Sequence, residues 1–261
     1  MPYFRRVSAD SYRATEHAGG AWSRSEQHIA PSLGLLAHAV ELDRDARGNG
    51  HLVIGRLSYD ILGTVPVEVV VDVDVTVIRP GRTIELVEAT MGHQGRTVVL
   101  ARAWLMKRYD TTALQGSGLD PIPAPEDMPV WKPSEIWPGG FIASAEVRRV
   151  EVEPGRSACW VRTAKPLLDA EPVSPTARTA GLLDIANGMA VRVDPRDAAF
   201  PNLDLTAHFF AEPTGEWMGL DTAVSIGPSG IGLTHSIIHD VTGPIGAVSQ
   251  ILTVRPGASS V

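Results

Sequence analysis

The sequence has little of several features that mark common protein classes. Among its 261 residues there is one cysteine, Cys159, which excludes an intrachain disulfide framework and a zinc site built from a cysteine cluster. A single cysteine also fits a reducing compartment. No apolar run reaches the roughly 20 residues of a membrane-spanning helix, and the first residues contain no apolar signal-peptide core. We therefore expect a soluble cytoplasmic protein without a membrane span.

Basic runs and phosphate-binding glycine loops are missing as well. The net charge is −7 and there is no long lysine or arginine run, so a nucleic-acid partner is not expected. Neither G-x-G-x-x-G nor G-x-x-x-x-G-K-[ST] occurs. His235 and His239 have metal-like spacing on a helix, but they lie in a strand-like stretch, where they would be about 13 Å apart. No cofactor and no metal are therefore expected.

An internal repeat is the strongest pattern that is present. Gly34 to Ala39 (GLLAHA) returns as Gly181 to Ala186 (GLLDIA), at an offset of 181 − 34 = 147 residues. Pro66 and Pro213 have the same offset, since 213 − 66 = 147. Landmarks that keep one spacing predict two copies of one structural unit.

Each copy shows the same order of elements. Apolar residues on more than one face predict a deeply buried helix over residues 28–42. Alternating, valine-rich stretches joined by glycine-containing turns then predict strands over 52–65, 67–78, 83–93 and 97–106. The second copy predicts strands over 144–152 and 157–163, a helix over 174–189, and strands over 203–210, 216–226, 233–239 and 245–254.

A long apolar helix followed by an antiparallel sheet can bury itself only if the sheet wraps it, which is the hotdog arrangement. We therefore predict an α+β fold of two hotdog units in tandem, a double hotdog whose sheets join edge to edge. Residues 1–108 form the N-terminal unit and 139–261 the C-terminal unit. Residues 109–138 contain six prolines and predict an irregular linker.

Two stretches resemble type II acyl-CoA thioesterases, which have this double-hotdog fold. They are residues 57–106 and 159–188, and the resemblance extends over roughly 22–255. It implies hydrolysis of acyl-CoA to free fatty acid and CoA. It also implies a site made of an aspartate on the second helix, a hydroxyl or amide from the following strand and a glutamine from the last strand. Those positions are Asp184, Asn202 and Gln250 here.

The repeat shows that these three residues occur in only one of its two copies. Their first-half counterparts are Ala37, Gly55 and Arg102, none of which offers the same chemistry. The resemblance therefore implies one site, in the second half and against the groove between the repeats. A homodimer is also expected, because exposed faces and edges of such units commonly pair.

The chemistry follows from the residue types. A partly desolvated Asp184 has a raised pKa and can accept a proton from water, while Asn202 and Gln250 orient that water. Backbone N–H groups over residues 179–182 are expected to polarise the thioester carbonyl. Direct attack by Asp184 to give an anhydride remains an alternative, and Cys159 is expected to be a core residue.

Two rival functions stay open. Hydratases and dehydratases with this fold typically use a histidine together with an aspartate near the helix start. The second helix has no histidine, although His28 and His38 lie in the first half, where many relatives have a Gly-Gly pair at the helix start. A non-catalytic acyl-CoA or lipid-binding protein is the other rival. Arginines at hairpin tips are either solvated or bind the phosphates of CoA: Arg79, Arg82 and Arg96.

Overall fold

The computed structural model describes residues 1–257. Within that range there are four α-helices: α1 (Ile29–Ala46), α2 (Gly140–Ser144), α3 (Pro175–Ala180) and α4 (Ala186–Met189). The strands are β1 (Phe4–Arg6), β2 (Ser11–Ala14), β3 (Leu52–Ile61), β4 (Val70–Arg79), β5 (Ile84–His93), β6 (Arg96–Lys107), β7 (Val130–Trp131), β8 (Ala145–Glu153), β9 (Arg156–Thr163), β10 (Ala198–Ala199), β11 (Asp204–Phe209), β12 (Met218–Ile226), β13 (Ile231–Asp240), β14 (Gly243–Thr253) and β15 (Arg255–Pro256). None of the helices in residues 1–257 has the length and apolarity needed to cross a bilayer.

Thirteen strands form one antiparallel sheet in the order β1-β2-β4-β5-β6-β3-β11-β14-β13-β12-β9-β8-β7. Strands from the two repeats occupy opposite ends of it. They meet where β3 pairs with β11, from Arg56 opposite His208 to Asp60 opposite Asp204. This pairing satisfies the backbone groups of what would otherwise be two open edges.

Helix α1 lies on the first half of the sheet and is buried along most of its length. Its apolar residues have no exposed surface at Leu33, Leu35, Leu36 and Ala37. The helix continues four residues beyond the predicted end at Leu42. Its last turn is polar and exposed, so the apolar pattern of the sequence does not mark it. Arg47 stabilises that end, since its guanidinium bridges Asp43 and the buried Glu85.

The second helical segment is shorter than predicted. A continuous helix over 174–189 was expected, but α3 ends at Ala180 and a 3₁₀ turn over Leu183–Ile185 precedes α4. The break lies where α1 crosses: a Cβ atom on Gly34 would come within 2.8 Å of the Gly181 Cα. The two glycines of the sequence repeat therefore face each other. The prediction of one long helix in each half was wrong for the second half.

The proline-rich stretch 109–138 is held against the second half. It contains three 3₁₀ turns and the two-residue strand β7 at the edge of the sheet. The indole Nε1 of Trp160 donates a hydrogen bond to the Pro123 carbonyl at 2.7 Å. The end of the proline-rich stretch, at Trp137, reaches a cavity between the two halves.

Candidate active site

A cavity of about 310 Å³ lies where the two halves meet. One wall comes from the segment before α1, including Trp22 and His28. The opposite wall comes from the 3₁₀ turn with Asp184 and from Asn202, just before β11. Both halves therefore contribute to the cavity, and the predicted residues Asp184 and Asn202 form its second-half wall.

The three predicted site residues converge on one carboxylate, and two of them, Asp184 and Asn202, line this cavity. Asp184 Oδ1 accepts a hydrogen bond from Asn202 Nδ2 at 2.7 Å and another from Gln250 Nε2 at 2.9 Å. Asp184 and Gln250 are buried, whereas Asn202 is partly exposed. Both amides donate to the carboxylate, so they hold Asp184 directly. Gln250 Oε1 has no protein hydrogen-bond partner within residues 1–257.

The sheet explains how residues so distant in sequence come together. Strands β11 and β14 are neighbours, so Asn202 and Gln250 approach from adjacent strands. Asn202 forms an isolated bridge with Leu252, and its Nδ2 also donates to the Asp204 carbonyl at 3.1 Å. The break after α3 turns Asp184 toward these strands. The interrupted helix is thus part of how the site is built.

The environment of Asp184 changes its acidity. Burial raises the pKa of the carboxyl to about 7, and the hydrogen bonds from Asn202 and Gln250 partly counteract that rise. Asp184 Oδ2 accepts no hydrogen bond from the described residues, and its nearest charged or ring nitrogen is His28 Nδ1 at 3.6 Å. One carboxylate oxygen is therefore held in place while the other is available to a proton.

The raised pKa of Asp184 should make the free energy of unfolding depend on pH. Its pKa is above the ordinary value of about 4, so the folded state resists ionisation and loses stability as pH rises from about 4 through about 7. Asp184→Asn has no charge to bury and keeps the acceptor for both amides. We expect its melting temperature to exceed that of the wild type by several degrees at pH 8, with the gap closing toward pH 4. Thermal unfolding at the two pH values measures this, and an equal gap at both would contradict it.

His28 approaches Asp184 from the other half of the molecule. It is the N-cap of α1, and its Nδ1 accepts a hydrogen bond from the Ala30 N–H at 3.2 Å. Burial lowers the pKa of its imidazole to about 3. His28 is therefore neutral, and its contact with Asp184 is not an ion pair. From the sequence, His28 was connected only with the rival hydratase or dehydratase reaction, because nothing in the sequence places it beside Asp184.

Trp22 and Trp137 form another part of the wall, and the buried Phe200 packs behind them. Trp22 packs edge-on against Trp137 and Phe200, with ring centroids 4.9 Å and 5.2 Å away. Trp137 Nε1 donates to the Gly188 carbonyl at 3.1 Å, which fixes its ring beside the turn that holds Asp184. No local pattern of the sequence marks this cluster, because its members are far apart in the chain and Trp137 lies in the stretch predicted as a linker.

Family models match most of the chain. The N-terminal domain of acyl-CoA thioesterase matches residues 19–106, and the C-terminal domain of acyl-CoA thioesterase matches residues 118–254. The chain belongs to the acyl-CoA thioesterase family. It is accordingly a thioester hydrolase, as the resemblance implied. No curated protein matches this thioesterase in sequence at a significant level.

Solved structures agree with this thioesterase in fold. An acyl-CoA thioesterase II from Mycobacterium marinum is 18% identical over 98% of this chain and 97% of its own, with a TM-score of 0.69. A conserved protein with a hot dog fold from Alicyclobacillus acidocaldarius is 14% identical over 96% and 95%, with a TM-score of 0.72. The dehydratase domain from the CurJ module of Curacin polyketide synthase is 12% identical over 96% and 94%, with a TM-score of 0.60. At these identities the likeness shows the hotdog fold alone.

The amides expected to polarise the thioester carbonyl are elsewhere in this thioesterase. The Gly181 N–H donates to the Ala177 carbonyl and the Leu182 N–H to the Thr179 carbonyl. Thr179, Gly181 and Leu182 line a smaller cavity of about 110 Å³, to which Asp184 does not contribute. The prediction for residues 179–182 was therefore wrong, because the end of α3 uses those amides itself.

The other candidates also lie away from the larger cavity. Arg79, Arg82 and Arg96 are not part of its wall, whereas the exposed Arg255 is. Cys159 is fully buried, and burial raises the pKa of its thiol to about 12, so it is a core residue of the thioesterase. His235, His239 and His38 are not part of this wall either.

Proposed function

We propose that this chain hydrolyses acyl-CoA thioesters to free fatty acid and CoA, with Asp184 as the general base. One observation carries the proposal: two side-chain amides hold one oxygen of a buried carboxylate, and the other oxygen is available at a cavity. A base whose pKa lies near neutrality is well matched to activating water. Asn202 and Gln250 set the position of that base.

The reaction follows from this arrangement. Asp184 Oδ2 takes a proton from a water molecule as the water oxygen bonds to the thioester carbon. The tetrahedral intermediate then expels the CoA thiolate, and the proton held by Asp184 goes to the sulfur. The carboxylate is restored, and no covalent enzyme intermediate is required.

Substrate placement follows from the chemistry of the cavity wall. Trp22 and Trp137, which pack against the buried Phe200, offer an apolar surface to the acyl group. Arg255 is a cation on the same wall without a salt bridge among the described residues, so it suits a phosphate of CoA better than the predicted hairpin arginines. Arg255→Ala should therefore raise KM severalfold and leave kcat near the wild-type value, as steady-state kinetics would show.

The decisive experiment is thiol release from a panel of acyl-CoA substrates of increasing chain length. We expect wild-type protein to release free thiol from at least one of them. Binding should be measured in parallel, for example by calorimetry. A protein that binds acyl-CoA and releases no thiol at any chain length would instead be the non-catalytic binding module.

The pH dependence tests the role of Asp184 more closely. Only the ionised carboxylate can take a proton, and burial raises its pKa to about 7. We expect kcat/KM to rise about tenfold per pH unit below that value and to level off above it. Thiol release from pH 5 to pH 9 measures the profile. A rate that does not change across this range would contradict a base with this pKa.

The His28–Asp184 contact of 3.6 Å is the one observation that favours the dehydratase alternative. A dehydratase base needs a free ring nitrogen, and Nδ1 already accepts the Ala30 N–H. The neutral ring therefore carries its hydrogen on Nε2, where it is a donor and not a base. Ultraviolet absorbance can monitor the formation of enoyl-CoA from 3-hydroxyacyl-CoA. If the protein catalyses that reaction, the dehydratase alternative replaces the hydrolase proposal.

The finer organisation also remains a proposal. We propose a tandem double hotdog, with units at 1–108 and 139–261, of which the last four residues lie outside the described part, and with 109–138 as the linker. The edge-to-edge pairing of β3 and β11 supports it. We propose a cytoplasmic homodimer as well, and sedimentation equilibrium would measure its mass.

A further inference from the structure

Thioester hydrolysis places negative charge on the carbonyl oxygen of the substrate, so the site needs a hydrogen-bond donor there. Removing one such donor from an enzyme typically costs about 10² to 10³ in kcat. Asn202 Nδ2 already donates to Asp184 and to the Asp204 carbonyl, and Gln250, which donates to Asp184, is not part of the cavity wall, so neither amide fills the role. The amides at the end of α3 cannot either, because they bond within that segment.

The start of α1 forms the part of the cavity wall that approaches Asp184. There the Ala30 N–H is used by His28 Nδ1, and Pro31 has no N–H. Besides the Ile29 N–H, the imidazole of His28 is left, and it is the group that lies next to the Asp184 carboxylate. Its Nδ1 is an acceptor, so the neutral ring carries its hydrogen on Nε2. That nitrogen has no protein partner among residues 1–257, and His28 forms part of the cavity wall.

The ring is also held firmly. It packs on Phe141, with centroids 4.3 Å apart, and the cap to Ala30 fixes its rotation. Nδ1 lies 3.6 Å from Asp184 Oδ2, so Nε2 of the same ring is held close to the proposed base.

We propose that His28 Nε2–H donates a hydrogen bond to the carbonyl oxygen of the bound thioester and stabilises the oxyanion that forms there. The inference rests on the proposed hydrolysis. His28 keeps its proton throughout and acts as a neutral donor, a role open to an imidazole that burial holds uncharged. The second half thus supplies the base, and the first half supplies the donor.

Two variants separate this donor from the helix cap. In His28→Asn the short amide can still accept the Ala30 N–H, but it does not reach the place of Nε2. In His28→Gln the longer amide can place an N–H near that position, but the cap is lost. We expect kcat to fall about 100-fold in the Asn variant, with a smaller change in KM, and to recover in part in the Gln variant. A purely structural role predicts the opposite order.

A binding readout isolates the carbonyl oxygen without turnover. In one CoA analogue a methylene replaces the sulfur and the carbonyl is kept, and in the other the carbonyl is replaced by a methylene and the sulfur is kept. Wild-type protein should bind the carbonyl analogue at least tenfold more tightly in calorimetry, and His28→Asn should remove that preference. If the variant keeps the preference, or keeps wild-type kcat, the assignment of His28 is overturned. If wild-type protein releases no thiol yet shows the preference, hydrolysis fails and the carbonyl contact stands.

Discussion

Asp184→Asn should lower kcat for thiol release by about three orders of magnitude and leave the fold intact. The amide is the same size as the carboxylate, and its oxygen can still accept from Asn202 and Gln250. What it cannot do is accept a proton from water. Loss of a positioned general base typically costs about 10² to 10⁴ in rate.

The matched control is an aspartate outside the cavity. Asp110 is exposed and bonds to Thr112, which holds the pKa of its carboxyl below the ordinary range. Asp110→Asn should keep wild-type kcat. Circular dichroism and thermal unfolding establish that both variants fold. A folded Asp184→Asn protein with more than a tenth of wild-type kcat would show that Asp184 is not the base.

The resemblance to type II acyl-CoA thioesterases predicted the polar residues of the candidate site, and the repeat shows that they have no counterpart in the first half. At an offset near 147, Ala37 stands opposite Asp184 and Arg102 opposite Gln250. Most strands were predictable from local pattern, because apolar and polar residues alternate along a strand that has one buried and one exposed face. The structure places those polar residues in hydrogen-bond contact.

Other parts of the site depend on contacts that no local pattern records. His28 meets Asp184 only because the sheet brings the two halves together, and Trp137 reaches the cavity because the proline-rich stretch folds back onto it. The break in the second helix depends on the helix that crosses it. Residues 174–189 have helical patterning throughout, and the close approach of Gly34 overrides it after Gly181.

That crossing also gives the largest expected effect on stability. Gly34→Ala would place a Cβ atom 2.8 Å from the Gly181 Cα and 2.9 Å from the Ala177 carbonyl oxygen. Both contacts are backbone atoms, so α1 and α3 must move apart. Overpacking of this kind typically costs about 1 to 3 kcal/mol, against a helix-propensity gain of about 1 kcal/mol for alanine. Because the backbone cannot yield locally, we expect a cost near the upper end of that range, which leaves a net loss of about 2 kcal/mol.

Gly181→Ala is the matched control at the same crossing. Its Cβ atom would lie 3.4 Å from the nearest atom and 3.6 Å from the Gly34 Cα, which are ordinary contacts. We therefore expect Gly34→Ala to lower the melting temperature by roughly 4 to 8 °C, at about 2 to 4 °C per kcal/mol for a chain of this size, and Gly181→Ala to leave it nearly unchanged. Asp184 follows Gly181 by three residues, so the shift of α3 should also reduce thiol release in Gly34→Ala. Equal effects of the two substitutions would mean that the helices can separate freely, and that the crossing does not position Asp184.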